Sequence, residues 1–302
     1  MDNISHKKKR TAWDDCLFSI IINVLLIAAV VVVAYPVYFI LVASFSDPTI
    51  VNSGDLLFYP KGFTLTGYKT VFKNQDIWTG YKNTIFYTVC GTILGTMAVL
   101  MAGYALSRKD LRGRGIIMKL FVFTMYFSGG LIPFFLTVKS YGLLDSRLLM
   151  VILGSVSVYN IIVVRTFMQN SIPEELFDAA TIDGCGNGRF FFRIVLPLSK
   201  AIIAVMILYI AVSYWNSYFN AMIFLTDDDK YPLQLVLRQI LLTTSAGANN
   251  VNADPEIAAE LQNAVSVIKY SIIIVVTGPI LCLYPFIQKY FTQGVMIGAV
   301  KG

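Results

Sequence analysis

Six long stretches of this chain hold no ionisable side chain, and that fact restricts the fold more than any other. Residues 17–44, 83–106, 120–138, 148–164, 201–225 and 270–287 are free of Asp, Glu, Lys, Arg and His. About 20 apolar residues carry a helix across the roughly 30 Å of a bilayer's hydrocarbon. In lipid each segment must satisfy its own backbone polar groups, which leaves helices or a closed barrel. A barrel would show two-residue alternation in strands of about ten residues, and none is present. The composition agrees: 14% of residues are charged, where a soluble domain carries about 25%. The expectation is an all-α integral membrane protein with six transmembrane helices.

The N-terminal region begins as a secretory signal would, with the basic run Lys7, Lys8, Lys9, Arg10 ahead of apolar sequence. The apolar stretch runs far past the usual 7–15 residues and no A-x-A-like site ends it, so it reads as an uncleaved first span. Lys and Arg are more frequent on one side of the six segments, at residues 7–10, 108–114, 165–200, 289 and 301. The positive-inside rule places both termini and these loops in the cytoplasm. The chain then divides into a basic segment (1–16), a six-helix domain (17–289) and a cytoplasmic tail (290–302). Its net charge of +6 is explained by basic residues meeting anionic lipid of the bilayer, with no nucleic acid required.

Several function classes are disfavoured. Ion-coupled carriers bury titratable groups in their spans and often show duplicated halves; neither feature is present. No G-x-x-x-x-G-K-[ST] loop exists, so the chain does not hold ATP in the P-loop manner and a partner must supply energy. The stretch Phe127-Ser128-Gly129-Gly130-Leu131 faintly mimics an ATPase signature. Inside the third apolar run it reads as a glycine pair that bends or closely packs a span. A single histidine, His6, excludes histidine-based zinc sites and Ser-His-Asp chemistry. Cys16, Cys90, Cys185 and Cys282 have no ligand spacing and read as unpaired thiols. No acid/base or metal constellation supports an enzyme of lipid or glycan metabolism.

The most informative segment is 171–200, SIPEELFDAATIDGCGNGRFFFRIVLPLSK. Ser171 as a cap, Pro173 in the first turn and Glu174 and Glu175 at the positive dipole end start a helix. It continues through Ile182, and Gly184, Gly186 and Gly188 interrupt it. On composition alone, an interfacial helix-turn-helix resting its phenylalanines on headgroups is an equal reading. Spacing decides between them. Asp178-Ala179-Ala180, three residues, Gly184, nine residues and then Ile194-Val195-Leu196-Pro197 resemble the EAA loop of ABC importer permeases. Asp178 stands where that pattern has Glu, which shortens the reach by one methylene.

This resemblance implies the type I ABC importer permease fold. It also implies an ATPase-contact set of Glu175, Asp178, Ala179, Ala180, Asp183, Gly184, Ile194, Leu196 and Pro197. The run AGYALSR at 102–108, Trp215-Asn216 and the tail 294–302 are similar to sugar permeases of the maltose (MalG-like) type. Residues 127–133 and 141–145 are similar to the branch related to LplC and YtcP. The implied assembly lies in the bacterial cell membrane. It holds a second permease in a heterodimer, two ATPase subunits that bind ATP and Mg, and an extracytoplasmic solute-binding protein. The chain itself needs no cofactor. The implied substrate is an oligosaccharide, or a fragment containing uronic acid; another solute class is the alternative.

Saccharides are held by aromatic faces and planar polar groups. The fifth apolar run offers Tyr214, Trp215, Asn216, Tyr218 and Asn220. On a continuous helix, Trp215, Tyr218 and Phe219 share one face and Asn216 and Asn220 the next. Asn160 and Ser128 add polar groups to other spans. The competing role for these residues is to join helices or to mark the membrane interface. Residues 231–234 and 256–264 are candidates for docking the binding protein, and Asp227-Asp228-Asp229 reads as a solvated turn. The orientation is tested with single cysteines in a cysteine-free chain. Cysteine at Asn74 or Asn249 should react with an impermeant thiol reagent from outside the cell, and cysteine at Asn187 should not.

Overall fold

The computed structural model describes residues 13–55, 58–248, 265–266 and 268–281, and every regular element among them is helical. Two compact units emerge, one from residues 1–70 with 248–274 and the other from 71–247 with 275–302.

In the first unit α1 (Trp13–Ser44) is a helix of 32 residues. Its apolar window has no residue buried within the chain. A helix apolar on all sides belongs in lipid or against other apolar helices. Only its end packs locally: Val42 and Ala43 are buried with Val51, and Phe39 and Tyr270 lie against them. After it comes α2 (Pro48–Asn52), started by Asp47, whose carboxylate accepts the Thr49 N–H at 2.9 Å. The chain leads on to α3 (Thr66–Lys73).

The second unit is organised on α4 (Gln75–Ser107), 33 residues long and capped by Asn74, which accepts the Asp76 N–H at 2.8 Å. One stripe of α4 is small. A Cβ at Gly91 would meet the Tyr214 ring, one at Gly95 the Ser155 carbonyl and one at Gly103 the Val164 side chain. Small residues are how helices approach closely where water supplies no driving force.

Around α4 the third, fourth and fifth apolar runs are not single helices. Residues 120–138 divide into α5 (Arg114–Tyr126) and α6 (Leu131–Ser140), bent by 114°. The cause is local: Gly130 has φ +86° and its N–H is accepted by Ser128 Oγ at 3.2 Å. Residues 148–164 divide into α7 (Arg147–Ile152) and α8 (Val158–Ser171) about Gly154, at φ +86°. Next come α9 (Glu174–Ile182), α10 (Asn187–Phe190), a π-helical turn (Phe191–Val195) and α11 (Leu196–Leu198). The last three form one rod that meets α12 (Lys200–Trp215) at 84°. Residues 201–225 therefore break at Asn216, and α13 (Phe219–Phe224) follows. Helix α14 (Leu233–Ala248) and α15 (Ile268–Leu281) complete the described residues.

Among the described residues α1 and α4 are each long and apolar enough to cross a bilayer, and the two bent pairs can each add one crossing. The second run, 83–106, lies within α4 and the first, 17–44, within α1. The sixth run begins in α15, and its residues past 281 lie outside the described set. So do Cys282, the stretch 256–264, the basic residues 7–10 and the tail 290–302. Of the remaining cysteines, Cys16, Cys90 and Cys185 are free thiols.

Two cores use the two halves of α4. Val99, Leu100 and Leu106 are buried with Val164, Met168, Phe190, Phe191 and Met206. Tyr87 is buried with Leu149, Ile210, Tyr214, Phe224 and Leu235. The Gly95 contact is against backbone, which cannot rotate away. Gly95→Ala should destabilise the unit by about 1–3 kcal/mol, the usual range for overpacking. Gly115→Ala on α5, where a Cβ would meet nothing within 4 Å, should be neutral or slightly stabilising. Thermal unfolding of the detergent-solubilised protein compares the two.

Candidate functional site

The EAA segment folds as a helix, a glycine turn and a second helix. Helix α9 lacks the Ser171 cap expected of it, because Ser171 is the last residue of α8 and Pro173 occupies the cap position without a side-chain bond. Glu174 and Glu175 lie in the first turn, where carboxylates complement the dipole. The far end is a Schellman closure. Cys185 N–H donates to the Ala180 carbonyl at 2.8 Å, Gly184 N–H donates to the Thr181 carbonyl at 3.0 Å, and Gly184 has φ +72°. Only glycine enters that region without steric cost.

Below α9 lies its seat. Ala180 is 7% exposed and belongs to the chain's own core, so its small size serves the close fit of α9 on this chain. The Phe177 ring meets Phe190 edge-on at 5.3 Å, and Phe191 lies 5.0 Å from Tyr104 of α4. The Arg108 guanidinium stands 3.2 Å above the Phe177 ring, and its Nε bonds Asp110 at 3.0 Å. Lys109 pairs with Glu174. That pair is exposed, and exposed pairs contribute about 0–1 kcal/mol. A largely desolvated cation over an aromatic face contributes up to about 2 kcal/mol. The Arg108–Phe177 stack, with the aromatic packing beneath it, is therefore the stronger tie between α9 and α4.

The carbonyl end of α4 is closed by side chains. Leu106 O accepts from Arg165 Nε at 3.1 Å, Ser107 O from Arg114 at 3.3 Å and Gln169 at 3.4 Å, and Arg108 O from Arg114 at 3.1 Å. Two cations thus sit at the negative end of the α4 dipole and satisfy carbonyls no helix turn can reach. Beside them a cavity of about 470 Å³ opens between Tyr104, Arg108, Gln169, Pro173, Glu174 and Phe190.

Of the expected contact set, Glu175, Asp178, Ala179, Asp183, Gly184 and Pro197 are exposed, Ile194 and Leu196 half-buried and Ala180 buried. Ile182 was missed by the sequence reading. It is 86% exposed, and the only signal for it is an apolar residue in the three-residue gap of the motif, one turn beyond Asp178.

The other half of α4 holds a second polar cluster, about 30 Å away by helix rise from residue 84 to 104. Asn83 Nδ2 donates to the carbonyls of Asp229 (2.8 Å) and Tyr231 (3.0 Å), and Tyr87 OH to that of Lys230 (2.8 Å). Thr84 Oγ1 accepts the Leu233 N–H at 2.8 Å. Asp145, at φ +54°, accepts from the amides of Thr226 and Asp227 at 3.0 and 3.1 Å and from Lys230 Nζ at 2.5 Å. The Lys230 hydrogen bond, aided by those amides, holds the Asp145 carboxyl down at about 2. The turn at 227–229 is exposed, as the sequence suggested, and its backbone is also pinned by these bonds. In the docking candidate 231–234, Leu233 is fully buried.

The residues expected to face a saccharide do not share a face. Trp215 is buried, edge-on to Tyr81 at 6.3 Å, with its Nε1 donating to Val276 O at 3.4 Å. Asn216 ends α12 and its Nδ2 returns to Val212 O at 2.8 Å. Tyr218 is 39% exposed; Asn220 and Asn160 are half-buried, and Ser128 braces the α5–α6 turn. The helix break at Asn216 is the reason that the expected stripe of Trp215, Tyr218 and Phe219 does not form.

The site is thus a glycine-closed helix seated at the end of a long apolar helix, in a chain with helices long and apolar enough to cross a membrane. Residues 95–297 match the family of binding-protein-dependent transport system inner membrane components, and the chain belongs to it. It is 39% identical over 286 residues to the polygalacturonan/rhamnogalacturonan transport system permease protein YtcP of Bacillus subtilis (strain 168), covering 95% of this chain and 99% of that one. Protein LplC of the same organism is 37% identical over 284 residues, covering 93% and 94%. The crystal structure of a bacterial ABC transporter involved in the import of the acidic polysaccharide alginate contains a chain with TM-score 0.82 and 32% identity. That match covers 93% of this chain and 98% of that one.

The Asp145 corner has a pH signature. Its carboxyl lies below the ordinary 3.8, so the anion's contribution is complete above that value and is lost as pH falls through about 2. Hydrogen exchange at Thr226 and Asp227, corrected for intrinsic rates, should show constant protection from pH 8 to about 4. Asp145→Ala should raise those two rates about tenfold, the worth of one charge-assisted bond.

Proposed function

We propose that this chain is one of two permease subunits of an ATP-driven oligosaccharide importer, lining half of the pathway. The observation that carries this reading is α9: seated on α4 through Phe177, Arg108 and Ala180, and turned outward with Asp178, Ala179, Ile182 and Asp183. On this reading α9 is a coupling helix that enters a cleft on an ATPase subunit. Six crossings with both termini in the cytoplasm place that surface beside the ATPases. A heterodimeric sister permease and an external solute-binding protein complete the assembly, and ATP with Mg is held by the ATPase pair. Two relatives named for polygalacturonan/rhamnogalacturonan and alginate support an oligosaccharide rich in uronic acid as the substrate class.

When the ATPase pair closes on nucleotide, a push on α9 reaches α4 through the Arg108–Phe177 stack and the aromatic seat. Arg165, Arg114 and Gln169 join the same end of α4 to α5 and α8. The spans then move as a body.

The test uses the reconstituted complex with its binding protein. Gly184→Val places a β-branched residue at φ +72°, and Ile182→Glu places a charge on an exposed knob. Both should insert and pair with the sister permease, and both should lower binding-protein-stimulated ATP hydrolysis at least about tenfold, since an unpaired interfacial charge costs several kcal/mol. Gly188→Ala, with nothing within 4 Å of the new Cβ, should be mild. Wild-type transport by both Gly184→Val and Ile182→Glu would remove α9 from the coupling surface.

A further inference from the structure

Where α12 gives way to α13, the chain presents a cation that pairs with no carboxylate among the described residues. Arg238, on α14, is partly buried. Its guanidinium lies 5.1 Å from the centre of the Tyr218 ring, and Nη1 donates to Met222 Sδ at 3.2 Å. A guanidinium has five N–H donors and a thioether is a weak acceptor. The ion pairs among the described residues belong to Arg108, Lys109 and Lys230, and none reaches Arg238. Among the described residues its fork of donors meets an aromatic ring and a sulfur, which leave most of those donors unspent.

We propose that Arg238, oriented by Tyr218, is a recognition site for the carboxylate of an acidic saccharide on its way through the permease. The ring 5.1 Å away positions the guanidinium and takes up none of its N–H donors, and a guanidinium edge meets a carboxylate with two parallel bonds. Tyr218 and Met222 are one turn apart on the outer side of α13 and remain 39% and 41% exposed, so a solute can approach the pair. The backbone argues against a lipid-facing position. Helix α12 has 16 residues, a rise of about 24 Å, less than the roughly 30 Å of hydrocarbon. The non-helical residues 216–218 that follow it are tolerated at that depth only against protein or a water-filled cavity. Charged side chains at membrane depth face the protein interior or a water-filled cavity. This site rests on the oligosaccharide reading above and assigns the acidic group of that substrate to one residue.

The experiment compares trigalacturonate with its fully methyl-esterified form, which keeps the sugar and removes the charge. The complete transporter is reconstituted in proteoliposomes and uptake is measured at subsaturating loaded binding protein. Arg238→Gln should lower trigalacturonate uptake about tenfold, as the loss of a charged hydrogen-bonded pair does, and change uptake of the ester less than about twofold. Arg238→Lys, a point charge without the fork, should fall between. An equal fall for both substrates overturns the assignment and marks Arg238 as a lipid-headgroup anchor or a packing residue. Unchanged uptake of both also overturns it. If the wild-type complex carries the ester and not the acid, the substrate class itself is wrong and the site falls with it.

Discussion

The structure depends on one constraint: backbone polar groups in lipid must be satisfied by the protein itself, with no water to help. Helix α4 meets it across its length by regular bonding, and its last carbonyls are met by Arg165, Arg114 and Gln169. Three interruptions in the second unit are satisfied in the same way. Ser128 accepts the Gly130 amide, Asn216 returns to Val212, and the corner at 226–233 is closed by Asp145, Asn83, Thr84 and Tyr87. The first two of these bonds are local, and at the corner α4 itself supplies partners through Asn83, Thr84 and Tyr87. Its glycines at 91, 95 and 103 let neighbours come close.

This explains which parts of the fold were legible in the sequence. Absence of charge located the helices of the six runs, with 17–44 inside α1 and 83–106 inside α4, but not the apolar part of α14, Leu233–Thr243, which carries Arg238. It did not reveal the bends, because Ser128-Gly129-Gly130, Gly154 and Asn216-Ser217-Tyr218 add no charge and barely change hydropathy. Their effect lies in backbone dihedrals, and a glycine in a membrane run reads equally as close packing or as a turn. Here Gly95 and Gly103 are packing glycines and Gly130 and Gly154 are turns. The distinction comes from what the neighbouring helix places opposite, which sequence spacing does not contain.

The EAA segment was legible for a different reason. Its glycine is needed for a left-handed residue at a fixed distance from the helix it closes, and Gly184 occupies that position. The spacing said nothing about which alanine faces inward. Ala179 is exposed and Ala180 buried, and with two small residues side by side only the packing of Phe177, Phe190 and Tyr104 decides. Ile182 was hidden for the same reason: an isoleucine on a short amphipathic helix reads as core, and 86% exposure makes it a surface feature instead.

Both polar clusters on α4 hold arginines and lysines, and their surroundings separate structural cations from available ones. Arg165 and Arg114 donate to carbonyls at the helix end, Arg108 has a ring and Asp110, and Lys230 has two carboxylates. Each is accounted for by bonds whose loss would leave a polar group stranded. Arg238 differs. A ring and a thioether position it, and no ion pair among the described residues reaches it. A permease needs groups of this kind, which hold a solute briefly and then release it. Full pairing inside the protein would make Arg238 a brace; partial satisfaction leaves it able to exchange partners as an anionic solute passes.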